Sequence, residues 1–247
     1  MGRPFIIVAG QSNCFGDDVE HDLPAEYLSL PYMAWKWTAS NPSLPRQRRV
    51  PWSPTRKTVT YTAEWGSTDL VVAKVLGDAG HNPTTLFHAS GATTLNTDWN
   101  VTAAGLRLYE NLLAEVGKAF LSTNNPGSYT SHWLVWIHGE SDAMGGFQAT
   151  YKTNFDAFWS GLKTALTASN PSMRCALVKL SSAASGVGAN LGALRTKQDE
   201  ILAANADCFL YDASPCAMAS GNLHYSDVGR VTLGTGIANA MIAAGSL

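Results

Sequence analysis

Three short runs in this chain hold side chains of the kinds that move protons and break carbonyl bonds. Gly10-Gln11-Ser12-Asn13 sets a serine straight after an apolar, strand-like run, Pro4-Phe5-Ile6-Ile7-Val8-Ala9. His138-Gly139-Glu140-Ser141-Asp142 follows another such run and offers one imidazole and two carboxylates. Asn222-Leu223-His224-Tyr225-Ser226-Asp227 offers a further imidazole in a polar stretch near the C-terminus. A serine hydroxyl needs a base to take its proton, and histidine is the usual one. A serine in a tight turn that opens a helical turn also aims its own N–H at the oxyanion formed on its target. Serine is equally common there as a helix N-cap, so the first run alone does not decide. It is not the G-x-S-x-G elbow, because Asn13-Cys14 follow Ser12.

For these runs to meet, the fold must bring them to one edge. Strand-like runs alternate with longer amphipathic ones: strands near 4–9, 84–88, 132–137, 174–180 and 208–211, and helices near 67–79, 102–121, 148–169, 189–204 and 229–244. The helix at 67–79 is expected to turn Leu70, Val71, Val75 and Leu76 inward; that at 102–121 shows a stripe of Leu106, Tyr109, Leu113, Val116 and Phe120. This alternation implies a three-layer α/β/α sandwich with a five-stranded parallel sheet and helices on both faces. The near-continuous apolar run His132–Ile137 fits a strand covered on both sides. In a flavodoxin-like strand order the ligand site lies beyond the carboxyl ends of strands one and three. The Ser12 and His138–Asp142 loops follow those two strands. His224, after the last strand, falls at the same edge. Among the other histidines, His81 and His132 fall at the opposite edge, His21 cannot be placed, and His88 remains a minor competitor.

Taken in order, these segments resemble the block pattern of SGNH hydrolases, in the branch of sialate O-acetylesterases and carbohydrate acetylesterases. Gly10–Asn13 is similar to the nucleophile block, Trp65-Gly66-Ser67 to the glycine block, His138–Asp142 to the branch's Q-G-E-x-D segment, and Leu223-His224 to the terminal histidine block. His88-Ala89-Ser90-Gly91-Ala92-Thr93 is similar to the family's loop after strand two. The resemblance implies an SGNH hydrolase fold and a serine esterase that removes O-acetyl groups from a carbohydrate. Ser12 would be nucleophile and His224 base, with the N–H groups of Ser12 and Gly66 and one third-block side chain holding the oxyanion. It implies no metal or organic cofactor. Gln11, Gly91 and Asp142 are assigned to substrate binding.

Two positions depart from the family pattern. His138 stands where an amide side chain usually donates to the oxyanion, and is expected to replace it, since imidazole also carries a donor. The alternative is a structural histidine at a strand end. Gly221 stands where many members carry Asp three residues before the histidine. The catalytic acid must then come from elsewhere, Glu140 first, Asp142 and Asp212 next, or a Ser–His dyad operates. A loop carboxylate such as Glu140 also commonly holds its own turn by accepting backbone N–H groups.

Composition bounds the rest. The 247 residues suit one domain, 1–247, with a Pro-rich insertion at about 17–61 holding Pro24, Pro31, Pro42, Pro45, Pro51 and Pro54. Apolar residues at 45% support a core, and a formal charge of -2 argues against a nucleic-acid partner. The run Arg46-Gln47-Arg48-Arg49 with Arg56 and Lys57 reads as a solvated loop or a contact for an acidic polysaccharide. No stretch is long and apolar enough to span a membrane, and no signal peptide is visible. Either the protein stays in the cytosol, or it leaves by another route, or it lacks its leader; action outside the cell or on a virion fits a chain that is a domain of a larger polypeptide or assembly, or that lacks its leader, and the abrupt start at strand one points to a domain of a longer polypeptide. Cys14, Cys175, Cys208 and Cys216 form no C-x-x-C pair; Cys208 and Cys216 are either bridged across a loop or buried as free thiols. Gly186–Gly192 is only a loose dinucleotide fingerprint in the wrong half of the chain. The competing readings are a general short-chain esterase or lipase of the same superfamily, and a non-catalytic carbohydrate-binding module.

Overall fold

The structure, a computed structural model, describes residues 3–14, 35–38, 50–51, 68–102, 107–119, 129–166, 172–245 and 247. Its strands are β1 (Pro4–Gly10), β2 (Trp35–Thr38), β3 (Val50–Pro51), β4 (Thr84–Ala89), β5 (Ser131–Ile137), β6 (Met173–Lys179) and β7 (Cys208–Asp212). Its helices are α1 (Thr68–Asp78), α2 (Leu108–Ala119), α3 (Glu140–Met144), α4 (Gln148–Leu166), α5 (Leu191–Ala204) and α6 (Asp227–Ala244). The five expected strands form an all-parallel block in the order β4-β1-β5-β6-β7, which is the flavodoxin-like order. The Pro-rich stretch adds two short strands at the β4 edge: β2 runs parallel to β4, and β3 antiparallel to β2. Reading that stretch only as a Pro-rich insertion gave no strand at Trp35-Lys36-Trp37-Thr38, whose aromatic and β-branched residues suit one.

The sheet's two faces are sorted by strand parity. Phe5, Ile7 and Ala9 of β1, with Leu134 and Trp136 of β5, join one core with α2, α4 and α5 residues such as Leu112, Phe155, Phe158 and Leu194. Ile6 and Val8, with Trp133, Val135 and Ile137, join the other with Val72 and Leu76 of α1 and Leu233, Ile237 and Met241 of α6. A period of two with both faces covered leaves β1 and β5 buried along their whole length. On α1, Leu70, Val71 and Leu76 are buried as expected, with Val72 and Ala73 beside them. On α2 Val116 is buried as expected, joined by Leu108 and Leu112; Tyr109 and Leu113, also expected inward, are half-buried, and Leu106 and Phe120 lie outside the described residues. All four cysteines are free and buried, so Cys208 and Cys216 are not bridged. Among the described residues no helix is long and apolar enough to cross a membrane.

What matters for chemistry is where β1 and β5 end. Gly10 and Ile137 are register partners at their carboxyl ends. Gly10 has φ +144°, and a β-carbon there would press into the Ile137 carbonyl oxygen. Only glycine allows the chain to leave β1 so close to its neighbour.

Candidate active site

Past Gly10 the chain makes a tight turn. Gln11 N–H donates to Ile137 O (3.1 Å), Cys14 N–H to Gln11 O (2.8 Å), and Ser12–Cys14 form one 3-10 turn. Among the described backbone bonds none uses the Ser12 N–H. The turn aims the Ser12 hydroxyl at the loop before α6, where His224 Nε2 lies 2.9 Å from Ser12 Oγ. The two residues are 212 apart in sequence, and the switch point of the sheet is what joins them. Ser12 is 5% exposed and His224 is half-buried, so the pair faces a boundary between protein and solvent.

The His224 loop is held from three sides. Asn13 Nδ2 donates to Leu223 O (3.2 Å) and Tyr225 N–H donates to Asn13 Oδ1 (3.0 Å), so both neighbours of His224 are tied to the residue after Ser12. Ser226 caps α6 by accepting from Gly229 N (3.2 Å), a bond of the kind worth about 1 kcal/mol. Gly186 N–H donates to Asn222 O (3.1 Å) and Asn222 Nδ2 to Ser185 Oγ (3.1 Å). The glycine-rich run 186–192 is thus a buttress for this loop.

The missing acid has a structural reason. Gly221 sits in a turn closed by Asn222 N–H to Ala219 O (3.1 Å), with φ +86° and an exposed flank. A carboxylate there would need a conformation that side-chain-bearing residues avoid. Glu140, at the first position of α3, reaches the same junction from β5. It is buried, and its Oε1 accepts from Asn13 Nδ2 at 2.5 Å. Burial pushes its carboxyl above the usual range, while the Asn13 bond, its own N–H and the His224 charge pull it back.

The rest of the third block faces elsewhere. His138 is fully enclosed, stacked on Trp136 at 4.8 Å and roughly parallel to Tyr151. Burial takes its pKa down to about 3, so it is neutral. Its carbonyl accepts from Tyr151 Oη (2.9 Å) and Gln198 Nε2 (3.3 Å), which pins the turn. So enclosed a ring has no open edge for a substrate oxygen. The structure therefore departs from the expected oxyanion donor and matches the structural alternative. Asp142 departs likewise from a substrate contact: it is fully enclosed, with Oδ2 accepting from Leu95 N (2.8 Å) and Oδ1 from Asn96 N (3.2 Å). Burial lifts its carboxyl to about 7 against those two bonds. Its Oδ2 is 3.6 Å from His138 Nδ1, too far for a hydrogen bond.

Gln11 is buried and its side-chain oxygen accepts from Ser141 N–H (3.4 Å), linking the serine turn to α3. Gly91 is half-buried in the turn after β4, at the same sheet edge as Ser12. Asp212 pairs with Arg195 (3.0 Å), which holds its carboxyl below the usual range, so this carboxylate already has a cationic partner. His88, the minor competitor, is buried with Nε2 3.2 Å from Leu108 O and its pKa taken down to about 4 by burial. Gly66, the basic run 46–49 with Arg56 and Lys57, and His21 lie outside the described residues. Sequence reasoning left Asn13 out of the site; its place beside the candidate nucleophile was the one signal.

Known proteins agree with this architecture. The family model described as carbohydrate esterase, sialic acid-specific acetylesterase matches residues 3–243. No curated protein sequence matches the chain. Among solved structures, a protein from Arabidopsis thaliana superposes with TM-score 0.72 at 19% identity, over 98% of this chain and 99% of its own. A carbohydrate acetylesterase from Xanthomonas citri gives 0.68 at 14% identity, over 98% of this chain and 57% of its own. A carbohydrate acetylesterase from Sinorhizobium meliloti gives 0.53 at 16% identity, over 98% and 99%. At such identities the structural likeness speaks for the fold, the SGNH hydrolase sandwich.

Proposed function

The chain belongs to the sialic acid-specific acetylesterase family of carbohydrate esterases, and from that premise we propose that it removes O-acetyl groups from a saccharide by a Ser12–His224–Glu140 mechanism. One observation carries the reading: the 2.9 Å approach of His224 Nε2 to Ser12 Oγ, within the reach a general base needs. In the scheme, Ser12 Oγ attacks the acetyl carbonyl as His224 takes its proton. The tetrahedral oxyanion sits on the Ser12 N–H and, by the family resemblance, on the Gly66 N–H; one such donor typically lowers a barrier by about 2.7–4 kcal/mol. The carbonyl re-forms, the bond to the sugar oxygen breaks, and His224 gives that oxygen its proton. Water, deprotonated by His224, then attacks the acyl-enzyme; the bond from the acyl carbon to Ser12 Oγ breaks, His224 returns the proton to Oγ, and acetate leaves. Glu140 holds the imidazolium that forms in each half. Every group in the scheme is a side chain or backbone N–H of this chain.

An acetylated polysaccharide or glycan is the proposed substrate, supported by the family description and by the carbohydrate acetylesterases that share the fold. The test is acetate release from a panel of acetylated polysaccharides, beside acetyl and octanoyl nitrophenyl esters. We expect release from at least one polysaccharide, preference for the acetyl ester, and in Ser12→Ala a loss of roughly 10⁴–10⁶-fold in kcat. Preference for the octanoyl ester defeats the sugar reading, and full activity in Ser12→Ala defeats the mechanism.

A further inference from the structure

We infer that Asn13 is a positioning residue that sets the acid and the base of the site relative to the nucleophile, a role that rests on the Ser12–His224–Glu140 reading. Its amide is 2% exposed and uses both ends. Nδ2 donates one hydrogen to Glu140 Oε1 (2.5 Å) and one to Leu223 O (3.2 Å), and Oδ1 accepts from Tyr225 N–H (3.0 Å). The orientation is fixed by the partners: two acceptors face the nitrogen and one donor faces the oxygen, so the reversed amide would oppose like to like at all three. The turn that carries Asn13 is itself anchored, with Thr68 Oγ1 of α1 donating to Asn13 O at 3.4 Å.

The need for such a residue follows from Gly221. Where the acid lies three residues before the histidine, one loop carries both. Here the acid rides on α3 and the base on the loop before α6, two elements with no chain continuity between positions 140 and 224. A single amide, one residue from Ser12, bonds to the acid and to both neighbours of the base. Asn13 touches no reacting atom; it acts through Glu140 and His224. Its donation to Glu140 also opposes the upward push of burial on that carboxyl. The other titratable groups that Glu140 acts on, or that act on it, are His224, Cys14 of the serine turn, Asp142 of α3, Tyr151 of α4 and Tyr225. Asn13 is the neutral donor set among them.

The experiment is a pH profile of kcat/KM for the wild type, Asn13→Ala and Asn13→Asp on a nitrophenyl acetate, with Ser12→Ala alongside. Asn13→Asp keeps the shape and the acceptor for Tyr225 but sets a second carboxylate against Glu140, and such a pair holds a proton to higher pH. We expect kcat to fall on the order of 10²-fold, as for a misplaced catalytic group, with KM little changed. We also expect the acid limb to move to higher pH in both variants, because Glu140 loses the donor that favours its ionised form. Thermal melts report folding; should Asn13→Ala not fold, the isosteric Asn13→Asp decides. Activity within threefold of wild type, or a fall in kcat with the acid limb unmoved, overturns the inference and leaves a residue that only packs. An active Ser12→Ala instead overturns the reading beneath it, so the two failures are told apart.

Discussion

Two histidine–carboxylate pairs stand at the same end of the sheet, and they are put to opposite uses. His224 lies half-exposed against the Ser12 hydroxyl, and Glu140 is tied to the same turn through Asn13. His138 and Asp142 are both fully enclosed, the ring among Trp99, Trp136 and Tyr151 and the carboxylate on the Leu95 and Asn96 N–H groups. The residue types are the same; access and hydrogen-bond partners differ. In the enclosed pair, burial drives the imidazole to about 3 and the carboxyl to about 7, so each is pushed toward its neutral form. Asp142 then serves as a clamp on Leu95 and Asn96, holding the loop after β4. A histidine that titrates near 3 is a poor base at neutral pH, and one without an open edge meets no substrate. Side-chain chemistry near a switch point is therefore not enough; a group must also face the reacting atoms.

The largest expected contrast is between the two imidazoles. His224→Ala should lower kcat by about 10⁴–10⁶-fold while leaving the unfolding midpoint close to wild type. His138→Ala should do the reverse: kcat within about tenfold, and stability lower by about 2–4 kcal/mol from the cavity left against Trp136. Denaturant titration and steady-state kinetics on both variants check this; equal kcat losses would erase the contrast. Next in size are the carboxylates. Glu140→Gln should cost about 10²–10⁴-fold in kcat, and Asp142→Asn only a few-fold. Asp142→Asn instead sets an amide N–H against one of two backbone donors, at a cost of about 1–3 kcal/mol. The enclosed acid also leaves a pH signature. Its folded pKa, about 7, lies above the unfolded value, so the folded state holds the extra proton between the two. The contribution of Asp142 to stability is thus greatest at low pH and falls as pH rises from about 4 to 7. Urea midpoints across that window should fall more steeply for the wild type than for Asp142→Asn; parallel curves would show that Asp142 does not titrate there.

The same contrast explains what was legible in the sequence. Strand order and the meeting of Ser12 with His224 follow from alternating apolar runs and from which loops fall at the carboxyl edge, and both are local signals with one topological rule. The third block was harder. His138, Glu140 and Asp142 lie within one short run, yet α3 begins at Glu140, and residues two apart on a helix face nearly opposite ways. His138 and Asp142 point to the aromatic core and Glu140 to the Ser12 side, and no periodicity over so short a helix states which. On α2 Val116 was legible but its neighbours were not: Leu108 and Leu112 are at least as apolar as Tyr109 and Leu113, and packing chooses between the two sets. Asn13 escaped notice because an asparagine after a serine reads as turn chemistry; its three partners lie some 130 and 210 residues away.

The smallest expected effect concerns the place where an acid is absent. Gly221→Asp restores the carboxylate that many relatives carry three residues before the histidine, and a reading from alignment alone expects it to raise activity or to rescue Glu140→Gln. The backbone argues against both. At φ +86° a side chain is strained, by about 1–2 kcal/mol, and Gly221 is exposed, with no other atom within 4 Å of where its β-carbon would stand. A carboxylate on that flank is screened by water and, on the proposed Ser12–His224–Glu140 mechanism, remains unpaired with His224. Gly221→Asp should therefore melt a few degrees lower, with kcat unchanged within about twofold, and should add nothing to Glu140→Gln. Rescue of that variant would show that the loop before α6 can reshape to carry its own acid, and that Glu140 and Asp142 differ less in use than their surroundings imply.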